Sequence, residues 1–221
     1  MIEGVFHFGK AVPMMMTAAG TVAPSKVLVL GAGVAGLQAI AIARRLGAVV
    51  SAFDVRPAAK EQVESLGAKF IEVPAEEAGE TKGGYAREMS EEYKRKQSEL
   101  IAETIKKNDI VITTALIPNK PAPVLITEDM VKTMKMGSVI VDLAAASGGN
   151  CPLTELDKVV EKHGVTLIGY ANLPSHVAVD ASALYARNLY NFVSTLLAEK
   201  GEINIKWDDE LVKGTLVAAG K

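Results

Sequence analysis

Val27-Leu28-Val29-Leu30-Gly31-Ala32-Gly33-Val34-Ala35-Gly36 is the stretch on which the fold turns. Val27 to Leu30 is a continuous apolar run, the pattern of a strand buried on both faces. The glycines that follow are spaced G-x-G-x-x-G, and Val34 to Leu46 reads as a helix with Gly47 as its stop. In a dinucleotide site each glycine has its own task. Gly31 permits the tight turn, Gly33 presents no side chain to a pyrophosphate, and Gly36 lets the helix lie close to the strand. Ala32 and Val34 supply backbone between them, and the helix N-terminus offers unpaired N–H groups and partial positive charge to phosphates. A bare strand-to-helix turn is the alternative, and the wider context argues against it. Val49 to Phe53 reads as the next strand, and Asp54 at its end stands 23 residues after Gly31, close to the interval of ~20 that this fingerprint carries. Its carboxylate suits both hydroxyls of an adenosine ribose and repels a 2′-phosphate, which favours NAD(H) over the phosphorylated cofactor. Arg56 follows and blunts that preference.

Working outward, Ala58 to Leu66 reads as a second helix and Phe70-Ile71 as a short strand. Residues 74–87, with Pro74, Gly79, Gly83 and Gly84 among charges, read as a long exposed loop. Glu91 to Lys107 is an amphipathic helix, and Asp109 to Thr113, Ser138 to Leu143 and Val165 to Ile168 are buried strands. Strands alternating with helices predict an α/β fold, a Rossmann-type doubly wound parallel sheet over residues 22–176. Residues 1–21 read as a helical remnant of a further lobe, with Met14, Met15 and Met16 as adaptable core filler. Residues 177–221 read as a long helix, Val177 to Leu197, and a peripheral tail. Both ends therefore read as flanking segments of an incomplete second domain.

Hydrophobic residues make up 49% and charged residues 23%, which excludes wholesale disorder. A net charge of -2 gives no electrostatic case for nucleic acid or an anionic membrane. Cys151 is the single cysteine, so no internal disulfide forms, and no Cys/His cluster has metal-ligand spacing. No run approaches the ~18–20 apolar residues of a membrane span, so direct membrane insertion is not expected. Thr21-Val22-Ala23 resembles a signal cleavage site, but Glu3 stands where a secretory signal carries a basic region.

Further candidates fall at the ends of predicted strands, where open α/β sheets bind ligands. Thr113-Thr114-Ala115-Leu116-Ile117-Pro118 should run beside a cofactor ribose, which makes Ala115 and Leu116 candidates. Asp142-Leu143-Ala144 leads into Ser147-Gly148-Gly149-Asn150, and Asn172 follows the last strand. For Asn150 and Asn172, a site role and ordinary loop chemistry weigh equally. His163 reads as the cap of a charged helix. His176 is the better catalytic candidate, yet spacing sets no carboxylate or nucleophile beside it, so no catalytic residue is assigned. A dehydrogenase acting on a small substrate needs an acid or base at that substrate. Hydride transfer between two nicotinamides does not, and the absence of a Ser/His/Asp or Cys/His set or other evident proton donor leans toward the latter.

These residues carry a specific resemblance. The strings are Pro13-Met14-Met15-Met16-Thr17-Ala18-Ala19-Gly20, Gly33-Val34-Ala35-Gly36-Leu37-Gln38-Ala39, Asp54-Val55-Arg56, Gly83-Gly84-Tyr85-Ala86, Thr113 to Pro118, and Gly148-Gly149-Asn150-Cys151-Pro152-Leu153. With them, Lys26 through Trp207 resembles the NAD(H)-binding domain I, in the alpha subunit, of proton-translocating NAD(P) transhydrogenase, in the alanine dehydrogenase/transhydrogenase family. The resemblance implies NAD(H) lying across Ala32, Gly33 and Val34, with its adenosine held by Asp54, Val55 and Arg56. It implies a loop near residues 74–87 that closes over the cofactor, Gly84 touching the nucleotide, Tyr85 sealing the site and Leu116 beneath the cofactor. It further implies hydride transfer from NADH to NADP⁺ on an NADP(H)-binding partner, a membrane domain that moves protons, and a homodimer. The cytoplasmic location would then be peripheral to the inner membrane through those partners. The family's long N-terminal lobe, which orients the nicotinamide, has no counterpart in this sequence, so the chain alone is expected to transfer hydride poorly. The rival readings are an alanine-dehydrogenase-like oxidoreductase fragment and a non-catalytic NAD-binding module.

Overall fold

Residues 1–73, 90–117, 120–198 and 201–217 are described by the computed structural model. They pack as two units, Met1–Ala171 and Asn172–Lys221. The first holds α1 (Ile2–Phe6), β1 (Met15–Thr17), β2 (Gly20–Val22), β3 (Lys26–Leu30), α2 (Val34–Arg45), β4 (Val49–Phe53), α3 (Ala59–Ser65) and β5 (Lys69–Ile71). It continues with α4 (Glu91–Ile105), β6 (Ile110–Thr113), α5 (Glu128–Lys132), β7 (Val139–Asp142), β8 (Val159–Lys162) and β9 (Val165–Ile168). The second unit holds α6 (Ala178–Thr195) and α7 (Glu210–Thr215).

The main sheet has seven strands in the order β5-β4-β3-β6-β7-β9-β8. All neighbours are parallel except β8, which pairs antiparallel with β9. The chain winds outward from β3 in both directions, so the switch point lies between the C-terminal ends of β3 and β6. Successive residues of β3 serve opposite faces. Val27 and Val29 join the core with α2 and α3, through Ile40 and Val63. Leu28 and Leu30 join the core with α4 and α5, through Ile101, Ile105 and Val131. On α4, Tyr93, Gln97, Ile101 and Ile105 are the buried residues, a four-residue spacing that makes one face. Ser90 starts that helix by accepting a hydrogen bond from the Tyr93 N–H.

The doubly wound parallel sheet read from the sequence is therefore present, with one edge strand added. Residues 159–163 are not the end of a charged helix. Val159–Lys162 pairs with Val165–Ile168 across the turn His163-Gly164, and both turn residues have positive φ, 55° and 75°. That two-residue turn matches strand twist and closes a hairpin, which removes the helix-capping reading of His163. Residues 1–20 also differ from the helical reading. Only Ile2–Phe6 is helical, and Gly4 within it lies against Ile110 and Val141 with room for no larger residue without adjustment. Phe8 and Val12 are buried in the same core. Met15–Thr17 and Gly20–Val22 form a hairpin, exposed throughout, so Met14, Met15 and Met16 do not fill the core of this chain.

In the second unit α6 runs over nearly the span read for it, and it carries no buried residue. Asp209 caps α7 by accepting from the N–H groups of Leu211 and Val212. No helix among the described residues is long and apolar enough to cross a membrane.

Candidate functional site

A cleft of about 800 Å³ opens at the switch point of the sheet, lined by Gly31, Gly33 and Val34 on one side and by Thr114 to Ile117 on another. Phe53 to Arg56 at the end of β4 and one face of α4 complete it. The first turn of its floor is set by Gly31, whose N–H donates to Phe53 O at 2.9 Å and whose φ is +100°. A Cβ there would stand 2.5 Å from Thr114 Oγ1. Gly36 is tighter still, because a Cβ on it would meet Gly31 O at 1.9 Å. Packing within the protein thus demands glycine at both positions.

Gly33 is different. It caps α2 with its backbone alone, in extended conformation. Among the described residues, a Cβ on Gly33 would find only Arg56 Nη2, at 4.0 Å. The absence of a side chain there relieves no internal clash, and what it leaves open is the cleft at the positive end of α2.

Asp54 is held at the end of β4 with its carboxylate only 6% exposed. Oδ2 accepts the Ala32 N–H at 2.7 Å and Arg56 Nη2 at 2.9 Å. Oδ1 accepts the Arg56 N–H at 2.8 Å and Arg56 Nε at 2.9 Å. The loop and the acidic residue are therefore physically joined, a contact that the fingerprint spacing only hints at. Val55 packs against the core beside α4 and lines the cleft.

The opposite wall is built by a polar network. Thr114 N–H donates to Leu30 O, and Thr114 Oγ1 to Gly31 O. Asn150, fully buried, accepts from Ala115 N at 3.1 Å and donates to Ala115 O at 2.9 Å and Pro123 O at 2.7 Å. Asn150 N in turn donates to Asp142 Oδ2 at 2.8 Å, and Thr113 Oγ1, Ala144 N, Cys151 N and Thr154 Oγ1 also donate to this buried carboxylate. Donors on every side compensate for its burial. The result is a fixed ledge on which Leu116 stands half exposed in the cleft. Burial of Cys151 beside Asp142 pushes its thiol up, desolvation being the larger cause, which makes it a packing residue.

The structure therefore brings Gly31, Ala32, Gly33, Val34, Gly36, Asp54, Val55, Arg56, Ala115 and Leu116 together around one cleft. Gly84 and Tyr85, with the predicted loop around them, lie outside the described residues. Asn172 and His176 belong to the second unit. His163 is at the hairpin turn, paired with Glu128 at 2.9 Å. Gln97 is a cleft-lining residue that sequence reading missed. It is 8% exposed, lines the cleft from α4, and its amide makes no hydrogen bond among the described residues. The only signal in the sequence was a polar residue on the apolar face of an amphipathic helix.

With this geometry in hand, comparison with known proteins gives consistent results. The family described as alanine dehydrogenase/PNT, C-terminal domain, matches residues 1–221. A Rhodospirillum rubrum protein, named as a part of NAD(P) transhydrogenase subunit alpha, is 60% identical over 220 residues, covering 98% of this chain and 57% of that protein. The crystal structure of transhydrogenase from Sinorhizobium meliloti aligns with a TM-score of 0.75 at 53% identity, over 88% of this chain and 51% of that one. An L-alanine dehydrogenase structure aligns with a TM-score of 0.63 at 27% identity, over 78% of this chain and 44% of that one. The chain spans about half the length of the relatives it matches.

Proposed function

Because the chain belongs to the alanine dehydrogenase/PNT family through its whole length, we propose that it is the NAD(H)-binding component of a proton-translocating NAD(P) transhydrogenase, presenting NADH to NADP⁺ held on a partner domain. The observation that carries this reading is Gly33. Internal packing accounts for Gly31 and Gly36, whereas among the described residues nothing packs closely against the bare backbone of Gly33, which lines the cleft. A dinucleotide is the ligand whose shape suits the set: phosphates for the N–H groups at the start of α2, a ribose diol for Asp54, and apolar walls at Val55 and Leu116.

In this reading the chain holds and orients, and NADH, when bound, supplies the hydride. Gly31, Ala32, Gly33 and Val34 admit the pyrophosphate to the helix N-terminus. Asp54 selects the diol of the adenosine ribose. Ala115 and Leu116, kept in place by Asn150, form the ledge beneath the cofactor. The similar Rhodospirillum rubrum protein supports the same assignment, and its name as one part of a subunit implies further components. An NADP(H)-binding domain, a membrane domain, a homodimer and a cytoplasmic location at the inner membrane belong to this proposal.

Titration calorimetry with NADH and NADPH in parallel tests it. NADH should bind with clear preference, and adding the NADP(H)-binding domain of a transhydrogenase should then permit hydride exchange. Failure of the chain to bind either nucleotide would remove the assignment.

A further inference from the structure

The carboxylate of Asp54 has no acceptor position left. A carboxylate offers about four lone-pair sites, and Ala32 N, Arg56 N, Arg56 Nε and Arg56 Nη2 take them at 2.7–2.9 Å. The first pair are backbone groups built into the turn. The other pair are the fork of one side chain, bidentate and only 21% exposed. The same guanidinium reaches over the phosphate loop, with Nη2 at 4.0 Å from where a Gly33 Cβ would stand.

We propose that the Arg56 side chain is an internal occupant of the ribose subsite, and that a ribose diol binds Asp54 by exchanging with the Arg56 fork. The inference rests on the reading of the cleft as an adenosine site. The exchange conserves hydrogen bonds at the carboxylate, because the ribose hydroxyls replace Nε and Nη2 while the backbone donors stay. It also releases a cation beside Gly33, where phosphate charge arrives. Arg56 is thereby a specificity-determining residue. By competing for Asp54 it lowers the advantage that a free diol confers, and by remaining close it softens the repulsion of a 2′-phosphate.

The test compares AMP with 2′,3′-dideoxy-AMP by calorimetry, in the wild-type chain, Arg56→Ala and Arg56→Lys. The readout is the ratio of the dideoxy Kd to the AMP Kd, in which any contact of Arg56 with phosphate cancels. Removing the competitor should raise that ratio by about tenfold in Arg56→Ala, the scale of a charge-assisted hydrogen bond. Arg56→Lys, which keeps the charge without the fork, should fall between and guards against a variant that fails to fold. A ratio that is unchanged or lower in both variants overturns the exchange. Absence of AMP binding in the wild type and both variants would instead overturn the adenosine reading, and the exchange with it.

Discussion

The side-chain amide of Asn150 grips the backbone of Ala115 at both its polar atoms, accepting from N at 3.1 Å and donating to O at 2.9 Å. The residues are 35 apart in sequence, and this clasp, extended to Pro123 O, ties the end of β6 to the loop after β7. Asn150→Ala leaves those backbone groups without their partner in a buried place. It should cost about 2–4 kcal/mol in chemical denaturation, since each orphaned buried group costs ~1–3 kcal/mol. NADH affinity should fall with it as the ledge bearing Leu116 loosens. Asn150→Asp, which keeps an acceptor and loses both donors, should not restore either property.

Gly33 and Gly36 should separate binding from folding. Gly33→Ala has open space around its new Cβ, so stability should change by less than ~1 kcal/mol. NADH binding should weaken at least tenfold, about 1.4 kcal/mol, because the methyl enters the pyrophosphate approach. Gly36→Ala drives a Cβ to 1.9 Å from Gly31 O and should cost about 1–3 kcal/mol or more in stability. Equal losses of stability in the two variants would contradict this division.

Gln97→Leu tests the residue found only in the structure. The change removes an amide that reaches the open cleft and makes no hydrogen bond among the described residues, so thermal stability should change little. Binding of NADH should weaken by about 0.5–1.5 kcal/mol, the net value of a hydrogen bond. Unaltered affinity would place Gln97 outside the ligand's reach.

Glu128 links α5 to the β8–β9 hairpin. The hydrogen bond from His163, and then Lys132, holds its carboxyl below the ordinary value of 4.5. A carboxyl depressed in the folded state contributes stability above its unfolded pKa and loses it as pH falls through the folded one. Glu128→Gln should therefore destabilise slightly near neutrality and converge with the wild type in acid. Melting curves from about pH 6 to about pH 3 read this directly; a constant gap across that range would sink the assignment.

Much of this architecture is legible in the residues themselves. Val27 to Leu30 declares itself by an unbroken apolar run, and Gly31, Gly33, Gly36 and Asp54 by spacing that only strand, turn, helix and strand in succession can use. The miss at Val159–Lys162 has a definite cause. The segment is short, charged and half buried at a sheet edge, so its periodicity is weak, and the turn His163-Gly164 lacks the Asn-Gly or Asp-Gly mark of common hairpins. Met14 to Met16 misled for another reason, because hydrophobicity states what a residue avoids and not what covers it.

The sequence by itself determined the alternation of strands and helices around the glycine loop, that loop and its acidic partner, and the family they belong to, because those signals are local and depend on spacing along the chain. Tertiary structure alone decided that the Ala32 N–H donates to Asp54, that Asn150 clasps Ala115, and that Gln97 faces the cleft. Each brings together residues from different elements, at the ends of different strands or on a helix folded over them. A residue's partner there depends on which backbone the sheet order brings within about 3 Å, and no spacing along the chain encodes that distance.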